Sequence, residues 1–155
     1  DDMKLARGAP PGLAALAGFG TSMLSFFTVG QFDISDDGIS VRGTALSPDD
    51  HLAAIAVAGN ALPADSRLTS LTITPATISG DYRWNARFDG AIVSLDGFSP
   101  DVDGAAVAKV VRAKFGAVKI DNRLKPANGA IRGFESVASM LLQVLSRLDQ
   151  GTVAV

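Results

Sequence analysis

Two stretches carry the same punctuation: "DDGISVRGTALSPDD" at residues 36–50 and "FDGAIVSLDGFSPDV" at residues 88–102. Asp-Gly recurs at 37–38 and 89–90, and Ser-Pro-Asp at 47–49 and 99–101, both spaced by 52 positions without a gap (89 − 37 and 99 − 47). Asp-Gly supplies the positive-φ residues that a tight hairpin turn needs. Ser-Pro-acid is a helix start: serine caps, proline fits the first helical position, and the acid meets the positive end of the helix dipole. A turn, a run and a helix start repeated at one spacing predict a duplicated building block.

Working outward through the second copy, "YRWNARF" (82–88) places Tyr82, Trp84, Ala86 and Phe88 on one face. Arg83, Asn85 and Arg87 take the other, the period of a half-buried strand. "AIVSL" (91–95) reads as the returning strand. A helix is expected from Ser99 to Phe115, burying Val102, Ala106, Val107, Val110 and Val111, followed by the strand "AVKIDNRL" (117–124). The first copy obeys the same grammar, with "QFDIS" (31–35) and "ISVRG" (39–43) as hairpin and "RLTSLTITP" (67–75) as closing strand. Its helix is expected to bury Leu52, Ile55, Ala56, Gly59 and Leu62. The predicted class is α+β: two ββαβ units forming one mixed sheet of about six strands, with helices packed mainly on one face.

A longer match aligns residues 3–34 on 124–155 at an offset of 121, pairing Gly12 with Gly133, Leu13 with Phe134, Leu24 with Leu145, and Gly30 with Gly151. Apolar helices are therefore expected at 12–28 and 130–149, the second burying Ile131, Phe134, Ala138, Leu141, Leu145 and Leu148. Met140, Leu142 and Val144 lie off that stripe and are expected to form a contact surface for a neighbouring unit or another subunit of a homo-oligomer. The division read from the two repeats is that of a tandem array. Residues 1–30 are the end of a preceding unit plus a linking helix, 31–76 the first unit and 79–127 the second. Residues 128–155 are a linking helix and the first strand of a further, truncated unit.

The 155 residues suit one domain or two small ones sharing a core, and 47% hydrophobic content fits a folded chain. Disulfides are excluded by the absence of cysteine. With 14 basic and 16 acidic residues evenly mixed, no basic stripe is available for phosphates, so nucleic acid is not an expected partner.

The DG hairpin, "V-x-L-x-G" and acidic helix start of "DGAIVSLDGFSPD", with its counterpart "DGISVRGTALSPD", resemble BON domains. Paired units linked by an apolar helix look like the region before the OmpA-type domain in envelope proteins of alphaproteobacteria and mycobacteria. The resemblance covers roughly residues 12–127, and the family's central glycine corresponds to Gly97, where the first copy has Ala45 with Gly43 two residues earlier. It implies an α/β sandwich in the periplasm or cell envelope, associating with phospholipid or envelope proteins. It brings no catalytic residues and no cofactor. The alternative is a structural spacer in a peptidoglycan-anchored outer-membrane protein.

The residues themselves offer little reactive chemistry. His51, the single histidine, stands beside Asp49 and Asp50, where a solvated helix start is the simpler reading than a metal site. Asp36–Asp37 and Asp101/Asp103 sit where turns and helix starts favour aspartate. "GFGTSM" (18–23) lacks the strand context and third glycine of a dinucleotide fingerprint. Residues 8–32 contain no charge and read as a core helix, as a helix whose outer face (Phe19, Met23, Phe26) meets lipid or a partner, or as a membrane span. Pro10 and Pro11 and the many small polar residues argue against the span. Arg83 and Arg87 are candidates for anionic headgroups, while the aromatic row of Tyr82, Trp84 and Phe88 suits core packing better than ligand stacking.

Overall fold

Ser47-Pro48 starts a helix and both Asp-Gly pairs lie at hairpins, as expected, whereas Ser99-Pro100 does not start one. The computed structural model describes residues 12–101 and 104–155. Within them lie α1 (Leu13–Leu24), β1 (Phe27–Ser35), β2 (Gly38–Ala45), α2 (Pro48–Asn60), β3 (Leu68–Thr74), β4 (Trp84–Phe88), β5 (Ile92–Ser99), α3 (Ala105–Phe115), β6 (Lys119–Pro126), α4 (Phe134–Leu145) and β7 (Gly151–Ala154). Each unit pairs an antiparallel hairpin with a parallel third strand reached through a helix, β1-β2-α2-β3 and β4-β5-α3-β6. The fold is α+β.

The strands do not merge into one sheet. They form two, ordered β1-β2-β3 and β6-β5-β4-β7. The outer edge of β4 is taken by β7, so the first sheet cannot join there. The units meet instead through their connecting segments. Thr77 and Asn128 form a parallel bridge, with Ile78 N–H donating to Asn128 O and Asn128 N–H to Ala76 O, both at 2.8 Å. Outside this zipper, Lys125 Nζ lies 2.7 Å from Asp49 Oδ1.

Each sheet has its own core on one face. Phe19, Met23, Phe27, Ile39, Val41, Ala54 and Ala58 fill the first. Trp84, Ala86, Val93, Leu95, Val107, Val111, Phe134, Ala138, Leu142 and Leu145 fill the second. The helix-free faces are polar: Gln31 pairs Arg42 pairs Thr72 across the first sheet, and Arg87 pairs Ser94 pairs Asp121 across the second. Sheets apolar on one side only are what alternation in the strands dictates.

Several expectations need correction. The charge-free stretch is not one helix over 12–28. The α1 helix ends at Leu24, the Ser25 hydroxyl donates to Ser22 O (2.7 Å), and β1 starts at Phe27, where Thr28 and Val29 favour extended backbone. Likewise α4 spans 134–145 rather than 130–149, leaving Ile131 and Leu148 exposed. In α2 the expected stripe faces the wrong way: Pro48, His51, Ala54 and Ala58 are buried, whereas Leu52 and Ile55 are exposed. The α3 helix begins at Ala105, not Pro100, with Gly104 at φ 62° as its N-cap. Ala106 is exposed, and Val102 and Asp103 lie outside the described residues.

Candidate interaction surface

Gly133 starts α4 in a left-handed conformation (φ 79°), and Glu135 in the first turn meets the helix dipole. Phe134, Ala138, Leu142 and Leu145 then recur on one face and are buried over the second sheet. Phe134 stands edge-on to Trp84, with ring centroids 6.0 Å apart, and to Tyr82 at 5.9 Å. That side carries the packing.

A second apolar line runs along the same helix and its exit. Met140, Val144 and Leu148, four residues apart, are 58%, 51% and 46% exposed. With Gln143 and Arg147 they line an open groove of about 360 Å³. Lys114 of α3 reaches Gln143 Oε1 (3.4 Å), so the stripe has a basic margin. Large apolar side chains aligned in solvent, unlike ones scattered singly, mark a contact surface.

The sequence-predicted contact residues divide into groups. Met140 and Val144 stand at this surface. Leu142 does not; it is wholly buried, because it falls on the Phe134 line rather than between the two. Phe19 and Met23 are also buried, and Phe26 is half-buried, so α1 turns toward its own sheet the face expected to meet lipid or a partner. Arg83 is exposed but paired with Asp81 at 2.7 Å, and Arg87 is exposed on the polar face of the second sheet, away from the stripe. Sequence reasoning assigned Leu148 to the core; the glycine three residues on, where the helix has already ended, was the signal that it lies beyond the packed turn.

Among the described residues, reactive groups do not converge. His51 is buried, with Nδ1 and Nε2 lacking a hydrogen-bond partner among the described residues, and desolvation holds its pKa below the ordinary histidine value. It is therefore a neutral core residue, not the solvated one expected. Its neighbours Asp49 and Asp50 serve elsewhere: Asp49 meets Lys125, and Asp50 N–H donates to the capping Ser47 Oγ (3.1 Å). Ser99 Oγ donates to Asp101, whose second oxygen accepts from Ala106 N–H (2.9 Å), a capping arrangement. Tyr82 donates to Ala127 O (3.4 Å), and burial, with Asp101 adding to it, pushes its pKa up to about 12. Among the described residues no group of three or more His, Cys, Asp or Glu side chains is placed to hold a metal ion. A shallow depression of about 390 Å³ on the first sheet is lined by Val29, Gln31, Arg42, Thr44, Thr72 and Thr74, hydroxyl-rich and without an acid–base pair.

No protein-family model, curated protein or solved structure matches this chain. The surface must therefore be read from its own geometry. Among the described residues, no helix is long and apolar enough to cross a membrane.

Proposed function

We propose that the chain is a non-catalytic interaction module of the cell envelope that docks a protein partner through α4. The observation that carries this reading is the exposed line of Met140, Val144 and Leu148 along α4 and its exit, opposite the buried line of the helix. The pattern of the DG hairpins, shared with BON domains, supports the periplasmic or envelope setting. Replacing Met140 and Val144 by Asp tests the reading: both side chains are exposed, so the melting temperature should stay within a few degrees of the parent. The double variant should lose the association that the native chain makes in its host. A host that behaves normally with the double variant contradicts the reading, and wild-type protein sedimenting with anionic vesicles through the same two residues would transfer it to phospholipid.

A second reading, a spacer in a tandem-repeat array, is favoured by a separate observation. Two helices 121 positions apart have the same length and the same caps. In that case the contact is end to end, and reach and rigidity are the function.

A further inference from the structure

The helix–strand pairs α1–β1 and α4–β7 are the same element used twice. Both helices have 12 residues, begin after a glycine at φ 85° or 79°, and end on a serine whose hydroxyl donates three residues back, at 2.7 and 2.9 Å. A Cβ on Gly30 would strike Leu24 and Phe27; one on Gly151 would crowd the equivalent Leu145 and Leu148. The local geometry is shared to that level of detail.

What differs is the side that is covered. At an offset of 121, the exposed Met140, Val144 and Leu148 correspond to Phe19, Met23 and Phe27, which are buried. Conversely, the buried Phe134 and Leu145 correspond to the exposed Leu13 and Leu24. The strands agree. Val155 exchanges two backbone hydrogen bonds with Trp84 (3.0 and 2.8 Å), which directs residues 151, 153 and 155 toward β4 and residues 152 and 154 outward. In β1 the order is reversed. Ser35 and Gly38 close a two-residue turn, so 31, 33 and 35 bond to β2, and the counterparts of 153 and 155, residues 32 and 34, point away. The two strands therefore pair through opposite edges.

We infer that this helix–strand element is a two-sided connector, and that the Met140–Val144–Leu148 stripe with the free edge of β7 receives a ββαβ unit of the chain's own kind. The occupant is a β2–α2–β3 segment. Its strand pairs with β7 as β2 does with β1, and its small helix face (the counterpart of Ala54 and Ala58) covers the stripe as it covers Phe19 and Met23. This rests on the reading of α4 as a docking surface and names the partner. The element straddles two units, one on each side, and α1 and α4 each display one half of it.

The test appends residues 35–76 after Val155 of the full chain, continuing the repeat in phase, because Val155 corresponds to Ile34. The readouts are peroxide oxidation of Met140 and amide exchange of the appended segment, with a scrambled extension as control. Docking slows both by roughly tenfold or more relative to that control, and Met140→Asp with Val144→Asp in the extended chain abolishes the exchange protection. An appended segment exchanging like unfolded chain, with Met140 oxidation unchanged, overturns the inference. In that event, protection of Met140 in the unextended chain by vesicles or another protein would leave the docking reading standing, whereas a Met140 already unreactive in the unextended chain would sink both.

Discussion

The two ββαβ units are built alike and roofed differently. The first takes its covering helix, α1, from the chain before it; the second takes α4 from the chain after it, together with a fourth strand. The second core is the larger, centred on Trp84, which together with Leu95, Leu142 and Leu145 is fully buried. The first has Phe27 at the corresponding end of its hairpin, less completely covered. The lesson is that a ββαβ block specifies where a covering helix must lie but not the direction from which it arrives. A helix apolar around a wide arc can serve either side.

The hairpins make the same point at finer grain. Val41 and Val93 are 52 positions apart, yet their partners Phe32 and Phe88 are 56 apart (93 − 41 and 88 − 32). In the first unit Asp36–Asp37 form the loop and Gly38 already belongs to the strand. In the second, Asp89 Oδ1 accepts the N–H groups of Ala91 and Ile92 (3.0 and 2.8 Å), an Asx turn that opens the hairpin earlier. The second strand keeps the repeat; the first slips.

The largest expected effect separates the two cores. Trp84→Ala should cost about 3–5 kcal/mol, with denaturant melts monitored by the second unit's resonances losing stability first. If Phe27→Ala costs more, the ranking of the cores is wrong. Next come the glycines. Gly97 has φ 102°, and a Cβ there would sit 2.2 Å from Arg83 O, so Gly97→Ala should cost more than about 2 kcal/mol and no side-chain change should rescue it. Gly43, at ordinary φ, makes room chiefly for the Phe27 ring, 2.7 Å from the added Cβ, with Val29 O at 2.9 Å behind it, so Gly43→Ala should cost about 1–3 kcal/mol and Phe27→Leu should recover only the share due to the ring. Equal behaviour of the two glycines would erase the distinction.

His51 sharpens the contrast through pH, since the first core alone contains a buried histidine. Its folded pKa is lowered from 6.5, so the unfolded chain binds the proton first. Stability is fully present above that value and falls as the solution is acidified below it, by up to about 1.4 kcal/mol per pH unit. His51→Leu should flatten this part of the profile in equilibrium melts between neutral and mildly acidic pH, without loss at neutral pH, because two unpartnered buried nitrogens are removed. A profile identical to the parent's would place the acid sensitivity elsewhere. The smallest effect belongs to the bridge between the units: Lys125→Ala should cost no more than about 1 kcal/mol, because the pair with Asp49 is exposed.

Much of this was legible in the chain. Ser47-Pro48 announced α2, the Asp-Gly pairs announced both hairpins, and the offset of 121 announced two equal helices. The covered faces were not legible, for a physical reason. On α2 the small Ala54 and Ala58 are buried while the more hydrophobic Leu52 and Ile55 are exposed. Hydropathy did not decide. On α1 and α4 both lines are apolar, so only the neighbouring strands determine which is buried. The single sheet failed likewise: nothing in the strand patterns shows that β7 occupies the edge a merger would need.

Methionine reactivity tests the central claim most directly. Met23 is fully buried in α1, and Met140, on the matching line of α4, is 58% exposed. Under mild peroxide, with peptide masses followed over time, Met140 should oxidise nearly as fast as in the unfolded chain while Met23 stays reduced until the protein unfolds. Equal protection of the two would mean that α4 has no uncovered side, and the two-sided connector would be gone.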